Sequence, residues 1–271
     1  MKKQLQVGLV VEGKTNNSAI LRLGGVLERM GPVKSESFAV ARRVSNALHA
    51  GYAVKRFDDL QAARTILLLV PDRVVRRTVD HFCDSGMPLE GISFILCESW
   101  LPSDVLEPLA VRGAVVASVV EVAAANRNWF VVEGHAAATR QIRRMIEHKG
   151  DARAFELRPG AKPLYFAAEL LATALPMPLF LAAEEALRAS GISGQHLHIL
   201  LREIAEKAFR SLLKGGRGHW GGPLTECSPE AAEAHLKVVR GACPGLAEIV
   251  DRQLAWASQR MRKEKPLAAG G

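Results

Sequence analysis

Short apolar runs alternate with longer amphipathic segments along residues 1–157, and this alternation restricts the possible fold more than any other feature. The apolar runs predict buried strands, and the segments between them predict helices. Alternating strands and helices favour an open, mostly parallel sheet with helices on both faces. The predicted strands cover residues 5–11, 33–41, 65–70, 92–97, 114–120, 129–133 and 152–157, and the predicted helices cover 18–30, 42–50, 73–83, 103–112 and 136–149.

The pattern changes after Arg158-Pro159-Gly160, where proline and glycine end the last predicted strand. Beyond this point only helical patterns occur, over residues 162–190 with a kink at Pro176-Met177-Pro178, and over 195–214, 229–240 and 246–262. We therefore predict an α/β protein. A doubly wound sheet domain (residues 1–158) precedes an all-α domain (159–265), and residues 266–271 form a disordered tail.

Residues 5–19 contain two overlapping phosphate-binding patterns. In residue type and spacing, Gly8, Gly13, Lys14 and Thr15 match the P-loop pattern G-x-x-x-x-G-K-[ST]. The residues between the two glycines belong to the predicted first strand, however, and a strand cannot also form the phosphate cradle. A P-loop nucleotide hydrolase is therefore the least favoured of three interpretations.

The favoured interpretation is a strand, a turn over residues 11–16, and a helix capped by Asn16, Asn17 or Ser18. This is the layout of a Rossmann-like dinucleotide-binding turn in which only the middle glycine of G-x-G-x-x-G remains. Glu12 adds a negative charge that opposes a pyrophosphate, so we expect weak or altered binding. The third interpretation is a strand-to-helix turn with a structural role only.

Two further strand ends contribute candidate cofactor contacts. The second predicted strand ends beside Arg42 and Arg43, and arginines at this place accommodate the 2'-phosphate of NADP, unless both merely face solvent. The third ends at Val70-Pro71-Asp72, beside the expected crevice, where Asp72 would cap the next helix. The predicted cofactor is NADP, and the candidate contacts are Gly13, Lys14, Thr15, Asn16, Asn17, Arg42, Arg43, Val70, Pro71 and Asp72.

Composition excludes several classes of function. The net charge is +8, but the basic residues are scattered and aromatics make up only 6%, which favours a small anionic ligand over nucleic acid. The four cysteines show no C-x-x-C spacing, so we expect a reducing, cytoplasmic compartment and no metal site. No signal peptide is expected. The most apolar run, 164–183, is interrupted by Glu169, Pro176 and Pro178, so we expect no membrane span.

Several motifs in the same order resemble a bacterial family of Rossmann-like NADP oxidoreductases that carry an all-helical C-terminal domain of unknown function. This family is related to pyrroline-5-carboxylate reductase and ketopantoate reductase. The resemblance covers nearly the whole chain and implies dinucleotide binding, a small-molecule substrate at the cleft and redox chemistry. The motifs are residues 7–19, 68–72, 104–109, 114–118, 164–168, 222–224 and 234–236.

The chain departs from the family pattern where the family places polar groups. The usual glycines of the turn correspond here to Val11 and Asn16, and the His and Ser-Gly after the fifth strand correspond to Leu96, Glu98 and Ser99. The following His-Pro corresponds to Val120 and Glu121. In the first C-terminal helix, the Tyr-His corresponds to Tyr165 and Phe166, and the Asn corresponds to Thr173. A divergent oxidoreductase with degraded chemistry and unassigned catalytic residues is therefore our main hypothesis, with Lys162 or Tyr165 as conceivable proton donors. A non-catalytic ligand sensor or scaffold is the alternative. The apolar C-terminal helices predict a homodimer through this half.

Overall fold

The computed structural model describes residues 6–12, 18–122, 128–148, 152–215 and 227–263. Eight strands form one sheet in the order β3-β2-β1-β4-β5-β6-β7-β8. Strands β1 to β6 are parallel, β7 is antiparallel to β6, and β8 is parallel to β7. The strands are Gln6–Val11, Met30–Lys34, Tyr52–Ala53, Ala63–Leu69, Ser93–Cys97, Val115–Glu121, Trp129–Gly134 and Arg153–Glu156. The predicted mostly parallel sheet is confirmed.

Successive residues of the central strands bury opposite faces of the sheet. In β4, Leu67 and Leu69 join one apolar cluster, with α1, α2 and α5 above it, while Ile66 and Leu68 join the cluster beneath α3 and α4. Side chains alternate across a strand, so an uninterrupted apolar run is what a strand covered on both faces requires. These helices are Gly24–Leu27, Phe38–Leu48, Asp72–Asp84, Glu107–Ala110 and Ala136–Ile146, numbered α1 to α5.

Two predicted elements near the N-terminus are wrong. The second strand ends at Lys34, seven residues before the predicted end at residue 41, and α2 begins at Phe38. The helix predicted over 18–30 is instead a 3₁₀ turn, Ile20–Arg22, followed by the single-turn helix α1. Helix α1 packs closely on α5, because a Cβ at Gly25 would lie 2.3 Å from the carbonyl oxygen of Met145. The two-residue strand β3 was not predicted.

The chain divides into two compact units, residues 1–168 and 169–271. Helix α6 (Lys162–Ala172) spans the division, and the second unit continues with α7 to α10, at Met177–Ala189, Gly194–Gly215, Pro229–Ala242 and Pro244–Lys263. Within this unit α7 packs against α8 and α10, and α9 packs against α10. The helical C-terminal region is confirmed. The predicted tail lies outside the described residues.

Apolar side chains in the second unit are largely exposed. Among its described residues, the buried side chains are Leu197, Leu246, Ala247 and Ala257. Within the described chain, one stretch, Lys162–Ala189, is long and apolar enough to cross a membrane by length and composition, and its most apolar window is unburied. Pro176 lies in the turn between α6 and α7, and Pro178 lies in the first turn of α7. The expectation of no membrane span therefore remains a prediction.

Candidate functional site

The candidate site is the crevice at the carboxyl ends of the parallel strands. From β1 the chain crosses to β2 on one side, whereas β4 lies on the other side of β1. The strand order therefore reverses between β1 and β4, and ligands of open α/β sheets bind outside the strand ends at such a switch point. Glu12, Glu36, Asp72 and Glu98 follow the ends of β1, β2, β4 and β5 at this edge.

Charged side chains connect the ends of β1 and β2. The Arg77 guanidinium of α3 lies 3.3 Å from the Glu12 carboxylate and also pairs with Glu36. Burial lowers the pKa of Lys34, while the charges of Glu12 and Glu36 act to raise it. The Lys34 ammonium donates to the Ser35 carbonyl and lies 4.8 Å from the centre of the Phe57 ring. This end of the crevice thus holds cations and carboxylates side by side.

A strained residue follows β5. Glu98 has a φ of 55°, in the left-handed region that only a few per cent of non-glycine residues adopt. Its N–H donates to the Val119 carbonyl at 2.8 Å, and its carboxylate accepts a 2.5 Å hydrogen bond from the Ser18 hydroxyl. Such strain persists only where surrounding contacts hold it, and it clusters at ligand sites. The exposed Glu98 carboxylate is therefore positioned at the crevice beside the segment that follows the predicted phosphate turn.

A buried network joins the ends of β4 and β5 to α6. The Ser99 hydroxyl donates to the Asp72 carboxylate at 2.6 Å and accepts from the Leu101 N–H at 3.1 Å. The Lys162 ammonium donates to the carbonyls of Ser99 and Leu101, at 2.7 Å each. Lys162 is only 2% exposed, and burial lowers its pKa to about 8, partly offset by the charges of Glu133 and Asp72. Lys162 therefore holds the loop after β5 in place.

Glu133 is a second buried charge that organises backbone. Its carboxylate accepts hydrogen bonds from the N–H of Gly160 at 2.8 Å, the N–H of Ser103 at 3.0 Å and the Ser118 hydroxyl at 3.3 Å. Burial acts to raise its pKa, but these hydrogen bonds outweigh burial and lower it. Glu133 is thus kept ionised and ties β7 to the start of the 3₁₀ turn Ser103–Leu106 and to the segment that precedes α6.

The structure separates the predicted cofactor contacts into three groups. Gly13, Lys14, Thr15, Asn16 and Asn17 lie outside the described residues. Arg42 and Arg43 are exposed and lie in the second turn of α2, so their expected position at a strand end is wrong because β2 stops at Lys34. Whether they contact a 2'-phosphate stays a prediction. Val70, Pro71 and Asp72 lie at the β4 end, as expected.

Of the expected helix caps, Asp72 and Ser18, the last of three alternatives for its helix, lie within the described residues, and neither caps a helix. The Ser18 hydroxyl bonds Glu98 in place of a helix N-terminus. Helix α3 begins at Asp72, after Pro71, and has no side-chain cap, because the Asp72 carboxylate accepts from Ser99. Both side chains bond across the crevice to residues that follow β5, and such long-range pairs leave no signal in a local sequence pattern.

Sequence reasoning also missed Lys34, Arg77 and the structural role of Glu133. A carboxylate at the end of the apolar run 130–132 is the one sequence signal that pointed to a buried, hydrogen-bonded group. Arg77 and Lys34 carried no comparable signal. Among the described residues, no three His, Cys, Asp or Glu side chains converge in a way that could hold a metal ion. Around the strand ends, the described charged side chains thus combine the carboxylates Glu12, Glu36, Asp72 and Glu98 with the cations Lys34 and Arg77.

The fold and crevice together define an α/β protein with a Rossmann-like sheet followed by a helical region, and solved structures share this architecture over nearly their whole length. Protein TM1727 from Thermotoga maritima matches with a TM-score of 0.68 and 15% identity, over 96% of this chain and 100% of that one. BF3122 from Bacteroides fragilis, which carries the name of an NADP oxidoreductase, matches with a TM-score of 0.73 and 11% identity, over 95% and 98%.

An imine reductase from Aspergillus terreus, in complex with NADPH4 and a dibenzazepine, matches with a TM-score of 0.67 and 14% identity, over 97% of this chain and 95% of that one. Comparison with protein-family models finds no match, and neither does comparison with curated proteins. The resemblance to NADP oxidoreductases with a helical C-terminal region is thus confirmed at the level of the fold. At these identities the fold alone is shared.

Proposed function

We propose that this chain is an NADP-binding oxidoreductase-like protein that acts on a small-molecule substrate. The observation that carries the proposal is the crevice at the β1/β4 switch point, lined at four strand ends by polar and charged side chains. The dinucleotide would lie across this edge, with its pyrophosphate at the segment that contains Gly13, Lys14, Thr15, Asn16 and Asn17. The shared fold with proteins named for NADP or NADPH supports the proposal.

The adenosine end would lie at the end of β2. Glu36 lies close to where a Rossmann-like site places an acidic residue for the ribose hydroxyls, which favours NAD. Lys34 of β2, Arg42 and Arg43 of α2, and Arg77 of α3 oppose this preference. These cations support NADP, since its extra phosphate gains from nearby positive charge.

The substrate would lie beside the ends of β5 and β6, where Glu98 and Glu121 supply carboxylates. A carboxylate held in a strained, crevice-facing position suits a cationic or hydrogen-bond-donating substrate, and Glu98 is the described group best placed to contact it. Lys162 is a poor proton donor in this arrangement. Lys162 is bound to two carbonyls, and the Tyr165 ring stacks on Trp100 with centres 6.3 Å apart.

A non-catalytic ligand sensor is the second candidate. The ion pair of Glu12 with Arg77 favours this candidate. The short 3₁₀ turn and the single-turn helix α1 also favour it, because they offer a weaker dipole to a pyrophosphate than a full helix does. Under this alternative the protein binds a dinucleotide or a related ligand without hydride transfer. Four free cysteines are consistent with a cytoplasmic location, which we also propose.

A thermal-shift panel with NADPH, NADH, ATP and no ligand tests the proposal, because ligands that bind only the folded state raise its melting temperature. NADPH should give the largest rise. Following the absorbance of NADPH with small imine and carbonyl substrates then separates the two candidates: oxidation supports the enzyme, and binding without oxidation of any substrate supports the sensor. No rise with either dinucleotide would overturn the NADP-binding proposal and any sensor of a dinucleotide.

A further inference from the structure

A second cluster of cations lies at the opposite edge of the sheet from the crevice. Arg29 immediately precedes β2, Arg64 is the second residue of β4, and Arg140 and Arg144 lie on α5, with His148 just beyond its end. These five side chains line a groove of about 1200 Å³. We call it the basic groove.

The walls of the basic groove are held rigidly. Gln141 of α5 accepts a 2.5 Å hydrogen bond from the Ser93 hydroxyl and donates to the Thr65 hydroxyl, which fixes α5 over the starts of β4 and β5. Met145 is 3% exposed, and its carbonyl oxygen lies so close to Gly25 of α1 that a Cβ could not fit between them. The groove therefore presents Arg64, Arg140 and Arg144 from packed elements.

Positive charge in the basic groove is poorly neutralised. Within the part of the chain that the structure describes, no carboxylate pairs with Arg29, Arg64, Arg140 or Arg144. Glu147 lines the groove but pairs with Arg143 at 3.9 Å and accepts from the Ala154 N–H at 3.3 Å. His148 lies 3.7 Å from the Glu28 carboxylate.

Arg140 and Arg144 are four residues apart on one helix face, where like charges repel. An anion in the groove would remove this repulsion. This arrangement of positive charges thus favours a ligand with several negative charges.

We propose that the basic groove binds a small molecule carrying a chain of phosphates, such as a nucleoside triphosphate or an inorganic polyphosphate. Guanidinium groups match phosphate oxygens with paired N–H donors, and four of them around one groove suit several linked phosphates better than a single one. The groove volume exceeds what one phosphate needs and is comparable to that of pockets for small molecules.

This site is separate from the dinucleotide crevice. Arg64 lies at the start of β4 and Val70 lies just after its end, about 20 Å away at roughly 3.3 Å per residue. Binding at the two places can therefore be tested independently. An ATP-induced rise in melting temperature would have two possible sources, the basic groove or a P-loop at Lys14, and variants must distinguish them.

The test is calorimetric titration of the full-length protein with inorganic tripolyphosphate, ATP and orthophosphate. The variant Arg140→Gln with Arg144→Gln removes two exposed charges from the groove, and Arg202→Gln with Arg210→Gln, on exposed positions of α8, makes the same change of charge elsewhere. The wild type should bind tripolyphosphate more tightly than orthophosphate. The groove variant should bind tripolyphosphate about tenfold or more weakly than the wild type does, and the control variant should bind it with unchanged affinity. Tighter binding of ATP than of tripolyphosphate would identify a nucleotide as the ligand.

Three outcomes would overturn the proposal: no binding of tripolyphosphate to the wild type, an equal loss in the control variant, or orthophosphate binding as tightly as tripolyphosphate. ATP binding that Lys14→Ala abolishes and the groove variant retains would instead assign the ligand to the P-loop pattern. The groove variant should keep its NADPH response, so failure of the dinucleotide proposal and failure of this one give different results.

Discussion

Lys162 shows how a single buried charge couples the fold to pH. Burial lowers its pKa from 10.5 to about 8, so between these values the unfolded chain holds a proton that the folded chain has released. The free energy of unfolding then rises with pH across this window, and the cost of burying the ammonium is fully present below pH 8. We expect wild-type stability to increase relative to Lys162→Met by about 3 kcal/mol between pH 8 and 10.5.

Denaturant melts of both proteins at about pH 7, 8, 9, 10 and 10.5 measure this difference directly. Taking the difference between the two proteins removes the contribution of other groups that titrate in the same range. Parallel stability curves would show that the Lys162 proton is not coupled to folding.

The prediction that the protein prefers NADPH to NADH depends on Arg42 and Arg43. If NADPH binds with its adenosine end at β2, replacing both arginines by alanine should weaken NADPH about tenfold and leave NADH nearly unchanged, since only NADPH has the 2'-phosphate. Glu36→Gln should have the opposite effect and strengthen NADPH, because it removes a repelling carboxylate. Titration of NADPH and NADH with each variant tests this. Equal losses for both cofactors in the arginine variant would contradict the assignment.

The turn after β1 is the element whose repair should strengthen dinucleotide binding. Glu12→Ala with Asn16→Gly removes a negative charge and a side chain from a place where backbone should approach a pyrophosphate. We expect a gain in NADPH affinity by titration. The P-loop alternative predicts a different result, namely ATP binding that Lys14→Ala abolishes.

Val11, the position of the first glycine in the dinucleotide pattern, has a structural role that limits this repair. It is fully buried in one of the two cores, so adding Val11→Gly should lower stability by about 2 kcal/mol or more. Melting curves of the double and triple variants show this cost. A triple variant as stable as the double would mean that Val11 contributes little to the core.

Exposed apolar surface on the helical unit argues for assembly at the scale of the whole molecule. Leu171 and Leu181 are 60% and 64% exposed, and α7, α9 and α10 line an apolar groove of about 1060 Å³. Surface of this kind in a soluble protein is usually covered by a partner. We therefore propose a homodimer through the C-terminal helices, with a second copy covering this surface.

Light scattering at micromolar concentration measures the assembly. A mass near twice 29.4 kDa is expected for the wild type, and Leu171→Glu with Leu181→Glu should shift it toward 29.4 kDa. A wild-type mass of 29.4 kDa would rule the dimer out.

The sequence by itself determined the alternation of strands and helices that gives a mostly parallel sheet, apart from the short β3 and the segment 18–30, and the change to an all-helical C-terminal half. These features follow from local patterns, namely apolar runs long enough for strands covered on both faces, and helical periodicity interrupted by proline and glycine. Only the tertiary structure decided where β2 ends and which partners Ser18, Asp72 and Lys162 find. It also decided that Arg29, Arg64 and the α5 pair Arg140 and Arg144, from three separate segments of the chain, line one groove. Each of these depends on burial and on contacts between segments far apart in the chain, which no local pattern encodes.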